Sequence, residues 1–324
     1  MLFQSRCFWH PKDREFAAEY EDAFRVGEHG VVAVADGVSS AIFSRQWSNI
    51  LTQGVIDSPP DLSNDQAFAA WLADRREAWK ESIDFSQLGF FQKQKLQEVG
   101  GAYSTLLWIE LRPPLVEDES AEIELYGRAI GDCCMFIVRD GELACKFPLE
   151  LAEEFDADPL TICSVNRNRD HLLDFESVEF ACHPGDLIVL ASDALAKWAY
   201  QRLEAEEDVD WDEFWSMSAE EWQGRVASLR ELPHGERMRV DDTTVVMLRL
   251  SSSADLIDAN LGPSAHQIIG VEAAAPEELE GNQAGAEPLE ESTSDEAELS
   301  QEREPTVDGE LADKRLIGDT QADQ

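Results

Sequence analysis

The chain is poor in positive charge, in paired cysteines and in long apolar runs. Its 324 residues hold 26 Lys and Arg against 67 Asp and Glu, a net charge of -41. So acidic a balance disfavours unassisted binding to nucleic acid or to an anionic membrane, because both would repel it. No apolar run approaches the ~20 residues that span a bilayer. The opening MLFQSRCFWHPKDREF lacks the basic-then-apolar order of a secretory signal, so a cytoplasmic protein is expected. Cysteines stand at positions 7, 133, 134, 145, 163 and 182 and form no CxxC pair. That spacing argues against zinc and leaves reduced, mostly buried thiols as the expectation. Partners should be basic, or bridged by cations.

Hydrophobic residues make up 43% of the chain and aromatics 9%, enough for a sizeable core. The composition changes at residue 251. From Ser251 to Gln324 about 19 acidic residues face about 3 basic ones, with few aromatics, and this predicts a disordered acidic tail over 251–324 behind a folded domain over 1–250. The tail explains only part of the charge, because the first 250 residues keep roughly 48 acidic against 23 basic residues.

Within the folded part, apolar spacing predicts a first strand up to Trp9, a short strand Ala23 to Val26, and a strand Val31 to Ala35. Helical spacing is expected from Ser39-Ser40 through Ile42, Phe43, Trp47 and Leu51, again over DQAFAAWLADRREAWKESI, and over Ser86 to Val99. Strands follow in GAYSTLLWIEL, IELYGRAIG and CMFIVRDGELACKF, with Asp140-Gly141 as a two-residue hairpin turn. Pro113 to Ser120 reads as an exposed loop. Leu149 to Arg169 is irregular, and its FDADPL reads as a surface loop or as a flap over a site. LIVLAS is a buried strand ending at Asp193, with a helix running on from Ala194; two further helical stretches, Trp211 to Trp215 and Glu220 to Leu232, precede a last strand in RVDDTTVVMLRL.

Acids therefore sit at the ends of three strands. Asp36-Gly37 follows Val31 to Ala35, Asp193 ends LIVLAS, and Asp241-Asp242 opens the last strand. A hairpin between Ala23–Val26 and Val31–Ala35 would bring Glu21 and Asp22 towards Asp36. A carboxylate followed by glycine suits a metal held by one side chain and a neighbouring carbonyl oxygen, but Asp-Gly is also a turn dipeptide. Glu21-Asp22 is equally readable as solvated surface charge.

Six segments in order, YEDAF, VVAVADGVSS, GAYSTLLW, AIGDCCMFIVRDGEL, LIVLASDAL and DDTTVV, resemble the protein phosphatase type 2C family of metal-dependent serine/threonine phosphatases. The resemblance spans almost all of residues 15–250. It implies an α+β fold, a four-layer α-β-β-α sandwich with two central antiparallel sheets flanked by helices. It also implies two divalent cations, Mn2+ or Mg2+. Asp36 resembles the carboxylate that bridges them, and Gly37 the residue whose carbonyl completes one site. Asp193 and Asp241 resemble the acids that finish the first ion, and Glu21 the acid that holds the second; Asp22 and Asp242 would support these ligands from behind. Asp132 resembles an acid at a weaker third metal, or is a buried hydrogen-bonding aspartate.

The implied chemistry is hydrolysis of phosphoserine or phosphothreonine in phosphorylated protein substrates by a metal-activated water, and a cognate serine/threonine kinase is an implied partner. A phosphate monoester is a dianion, so it needs positive charge around the phosphoryl oxygens and a nucleophile ionised near neutral pH. An oxygen-only ligand set selects Mg or Mn over Zn. Two departures stand out. Ala194 replaces the glycine usual after the late aspartate. Ala17 stands four residues before Glu21, shortly before the first acids, where many members place a phosphate-binding arginine; Lys12 or Arg14 is the candidate replacement, and either is equally readable as solvated surface charge. Ala194 keeps open a second reading, a catalytically weak phosphatase-like binding or regulatory module.

Overall fold

In the computed structural model, the residues described are 3–27, 29–112, 122–156, 158–166, 173–251 and 266–268, all within the compact unit Met1–Ala273. The loop expected at Pro113 to Ser120 and most of the expected tail lie outside them. The strands and helices, in chain order, are β1 (Phe3–His10), β2 (Ala23–Val26), β3 (Val31–Ala35), α1 (Ser44–Asp57), α2 (Asp65–Glu81), α3 (Phe90–Val99), β4 (Tyr103–Ser104), β5 (Leu106–Arg112), β6 (Ile123–Ile130), β7 (Cys134–Arg139), β8 (Glu142–Phe147), β9 (Ile162–Cys163), β10 (Glu176–Cys182), β11 (Leu187–Ala191), α4 (Asp193–Glu204), α5 (Trp211–Ser216), α6 (Ala219–Glu231), β12 (Thr243–Leu250) and β13 (His266–Ile268).

A six-stranded sheet runs β13-β1-β12-β11-β7-β8 and a five-stranded sheet β10-β6-β5-β3-β2, while β4 and β9 form a separate pair. All strand pairs in the two large sheets are antiparallel except β1 with β13. The central strands are apolar on both faces, and period-two alternation sorts their side chains between two cores. Val32, Val34, Leu107 and Ile109 meet Met135, Ile137, Ile188, Leu190, Val246 and Leu248 between the sheets. On the outer face of the six-stranded sheet, Phe136, Val189, Val245 and Met247 pack with Leu195, Trp198, Phe214 and Trp222 of α4, α5 and α6. On the other side, Ala33, Ala35, Leu106 and Trp108 pack with Trp47, Leu51, Trp71, Leu72 and Trp79 of α1 and α2, and Leu96 of α3 joins them. The result is the expected α+β four-layer sandwich.

Two helix starts differ from expectation, and one strand was not expected. Helix α1 begins at Ser44 rather than near Ser39, because Phe43 adopts left-handed backbone (φ 60) and the Ser44 hydroxyl turns back to the Val38 carbonyl at 2.8 Å. Helix α3 begins at Phe90 rather than Ser86, since the Ser86 amide and hydroxyl both bond to Asp84 Oδ1, at 3.0 and 2.5 Å, in a local turn that competes with helix. Strand β10 went unread, although Val178, Phe180 and Cys182 alternate in it. The Asp140-Gly141 turn forms as expected, with φ of 52 and 84. In the irregular segment, Ala152 and Phe155 are buried against α4, so that end is anchored, whereas Leu160 is exposed. The three-residue β13 falls inside the segment read as a tail.

Candidate metal centre

The ends of both sheets converge on one cluster of acids. Asp36, Asp132 and Asp193 each present a carboxylate oxygen, and these atoms lie within 4.8 Å of one another. They come from different parts of the frame. Asp36 directly follows β3 in the five-stranded sheet, Asp193 opens α4 just beyond β11 in the six-stranded sheet, and Asp132 lies on the link from β6 to β7 that passes between the sheets.

The surrounding motifs hold these acids in place. The Asp36 amide donates to Thr105 Oγ1 at 3.0 Å, and its carbonyl accepts from the Thr105 amide and the Ser104 hydroxyl, both at 2.9 Å. Thr105 also packs on Gly131. A Cβ built at Gly131 would lie 2.4 Å from Thr105 Cγ2, and its φ of +94 suits glycine; this glycine sets the turn that delivers Asp132. Gly37 has a different reason to lack a side chain. Its φ is not positive, but a Cβ there would lie 2.8 Å from the Glu21 carbonyl oxygen and 3.0 Å from the carbonyl carbon and Cβ of Ser44. Close approach of three segments, rather than a sharp turn, requires glycine.

On the other sheet, the Thr244 amide donates to Ser192 Oγ at 2.9 Å, and the Ser192 amide to the Thr244 carbonyl at 3.1 Å, tying the start of α4 to β12. Tyr20 donates its hydroxyl to Thr244 Oγ1, which donates onward to Asp22 Oδ2 at 2.7 Å. Asp242 accepts from the backbone amides of Lys12 and Glu21, each at 2.7 Å, and so clasps both ends of the β1–β2 connection. Both Asp22 and Asp242 are buried.

Glu21 is not in the group of three. Its Oε2 accepts from Lys12 Nζ at 2.8 Å and from Ser39 Oγ at 2.5 Å. Of the two cations considered for phosphate, Lys12 is therefore beside Glu21, whereas Arg14 is bonded elsewhere, its Nε to His10 Nε2 at 3.3 Å and an amino group to the Gln223 carbonyl at 3.1 Å. Asp241 reaches the cluster through Arg239, whose Nη2 donates to Asp193 Oδ2 and, at 2.8 Å, to Asp241 Oδ2. Arg230 holds the Asp241 carbonyl from behind. Arg239, Thr105 and Arg230 were not singled out from the sequence. The available signal for Arg239 was its place two residues ahead of Asp241, since in extended chain such positions share a side.

The electrostatics follow from burial and like charge. Burial, reinforced by Asp22, Asp193 and Asp132, pushes the Asp36 carboxyl well above the usual range. Asp193 is pushed up to about 7 by burial and then by Asp132, against the opposing pull of Arg239. Burial likewise raises Asp132. Asp132 Oδ1 and Asp193 Oδ1 are buried without a hydrogen-bond partner, as is Asp22 Oδ1. Orphaned buried carboxylate oxygens on clustered acids need protons or a cation, and an all-oxygen set suits a hard divalent ion. The residues present fit such an ion. Among the described residues, no helix is long and apolar enough to cross a membrane.

No family model matches the chain, and no curated protein does. Among solved structures it is similar to the photosystem II phosphatase PBCP, with 18% identity over 77% of this chain and 99% of that one, TM-score 0.47. It is similar to PppA of Pseudomonas aeruginosa, with 19% identity over 77% and 98% of the two chains, TM-score 0.44. A third is the serine/threonine phosphatase of S. agalactiae, with 14% identity over 77% and 100%, TM-score 0.45. In its six ordered motifs and its two packed sheets with acids at their ends, the chain resembles the protein phosphatase type 2C family.

Proposed function

We propose that the chain is a metal-dependent phosphoprotein phosphatase that hydrolyses phosphoserine and phosphothreonine. The observation that carries this reading is the meeting of Asp36, Asp132 and Asp193 within 4.8 Å, with buried oxygens of Asp132 and Asp193 left unpartnered. Divalent ions, Mn2+ or Mg2+, would neutralise phosphoryl charge there and make water acidic enough to serve as nucleophile near neutral pH. Asp36, central to the group, is assigned the bridging position between two ions. Asp193, Asp241 and the Gly37 carbonyl are assigned to one ion and Glu21 to the other, with Asp132 as a further ligand. Lys12, bonded to Glu21, is assigned to a phosphoryl oxygen. No side-chain nucleophile is needed, since the attacking group is water. A cognate serine/threonine kinase is the expected counterpart that supplies the substrate.

The alternative of a binding module rested on Ala194. This residue lies in the first turn of α4, fully buried in the core and outside the left-handed region, which supports the reading that its methyl group is tolerated beside Asp193. The test is phosphopeptide turnover with Mn2+, Mg2+ or chelator, in the wild type and in Asp36→Asn. Turnover that requires metal and is lost in Asp36→Asn is expected. Equal turnover by a folded Asp36→Asn protein at matched metal would refute the assignment.

A further inference from the structure

The cluster already contains a cation of its own. One nitrogen of Arg239 donates to both Asp193 Oδ2 and Asp241 Oδ2, the acids assigned above to a single ion. Asp193 uses Oδ2 for this contact and leaves Oδ1 buried and unpartnered. The arginine side chain is 42% exposed, whereas that of Asp193 is 4% exposed, so the guanidinium reaches the acids from the solvent side. It stands on the bend between α6 and β12, beside the exposed Val240. A long side chain so placed can swing outward without moving a strand.

The other two candidate cations do not touch Asp193 or Asp241. Arg14 is bonded to His10 and the Gln223 carbonyl, and Lys12 to Glu21 and Ser39. A guanidinium is a planar fork suited to two oxygens of a phosphate, and it stays charged at any relevant pH. We propose that Arg239 is an exchangeable cation: it bridges Asp193 and Asp241 until a divalent ion takes these carboxylates, and the released guanidinium then binds the phosphate of the substrate. This rests on the metal-site reading above. Asp193 keeps Oδ1 for an ion, but both oxygens of Asp241 are taken, Oδ1 by the Asp242 amide at 2.9 Å and Oδ2 by Arg239, so an ion that takes Asp241 competes with the guanidinium.

The test is calorimetric titration of the full chain with Mn2+, followed by titration of the Mn2+-loaded protein with inorganic phosphate, for wild type, Arg239→Gln and Arg239→Lys. Arg239→Gln should bind Mn2+ about tenfold more tightly, which corresponds to about 1.4 kcal/mol, and should then bind phosphate about tenfold more weakly. Arg239→Lys, which keeps the charge but not the fork, should fall between in both titrations and guards against a misfolded glutamine variant. Mn2+ affinity unchanged or weakened in Arg239→Gln overturns the exchange, and unchanged phosphate affinity overturns the released role. Either failure leaves the metal site intact if wild type binds Mn2+ and Asp193→Asn does not. A wild type that binds no Mn2+ overturns the metal-site reading together with the exchange.

Discussion

Replacing Asp132 by asparagine should make the metal-free protein more stable and the metal-loaded protein relatively less so. The side chain is 6% exposed, has an unpartnered Oδ1, and lies within 4.8 Å of carboxylate oxygens of both Asp36 and Asp193. With an effective dielectric constant near 20, two full charges at that separation repel by about 3 kcal/mol. Arg239 offsets part of this on the Asp193 side, and proton uptake relieves more, so a net gain of about 2 kcal/mol at pH 8 is expected. For a domain of this size that is a rise of about 4 to 8 °C in melting temperature in the presence of chelator. The sign with pH is fixed by linkage. A carboxyl raised in the folded state keeps its proton where the unfolded chain has lost it, so stability falls as pH rises from the ordinary carboxylate value through the raised one. For Asp193 this window closes near pH 7. The advantage of Asp132→Asn should therefore be full at pH 8 and vanish near pH 4. In saturating Mn2+ the order reverses, because an ion that binds only the folded state stabilises it by mass action and the variant has one ligand fewer. Scanning calorimetry with and without Mn2+ at these two pH values gives all four numbers. A variant no more stable than wild type at pH 8 in chelator would refute the argument that these acids repel one another across the cluster.

Gly37→Ala should cost about 2 kcal/mol from overpacking against backbone and reduce Mn2+ affinity more than stability, because the added methyl meets the Glu21 carbonyl oxygen at 2.8 Å; calorimetry at matched folded fraction tests this, and undiminished affinity would remove the close-approach argument. Ala194→Gly should lower stability by about 1 to 2 kcal/mol through lost helix propensity and a buried methyl, with phosphopeptide turnover per folded molecule unchanged. His10 is buried, donates from Nδ1 to the Pro11 carbonyl at 2.7 Å, and faces Arg230 and Arg14; burial first and then Arg230 push it down to about 4. Its depressed value means that the unfolded chain takes up the proton first, so its part of the stability is present above the ordinary histidine value and is lost as pH falls to about 4. His10→Gln should remove about 1.4 kcal/mol per pH unit of that slope, read as the difference between urea midpoints of the two proteins from pH 7 to pH 4.

Much of this architecture was legible because its strands obey simple periodicity. Val31 to Ala35 and Leu187 to Ala191 are apolar at every position, and the structure explains the pattern by burying one face between the sheets and the other under helices. The acids at strand ends were legible for the same reason, since a charge directly after such a run must sit at a sheet edge. Local turn chemistry hid the starts of α1 and α3: neither the left-handed Phe43 nor the Asp84–Ser86 turn disturbs hydrophobic spacing. Edge position hid β10, whose exposed glutamates interrupt the apolar signal. The partnership of Arg239 with Asp193 was beyond local reading, because it depends on how α4 and the bend before β12 are brought together. Asp132 was recognised as a candidate, but only the fold shows that it meets Asp36 and Asp193 while Glu21 pairs with Lys12.

The acids of the cluster belong to layers that must slide past one another when the sandwich opens. Asp36 is fixed to the five-stranded sheet and Asp193 to the six-stranded one, so an ion gripping both acts as a rivet through the apolar interface between them. A rivet of this kind resists shear only after the layers have docked. Its contribution should be absent while the chain is still assembling, and should appear as slower opening rather than faster folding. A change in cation supply would then lengthen or shorten the lifetime of the native state and shift its equilibrium population by the same factor, with the folding rate left alone.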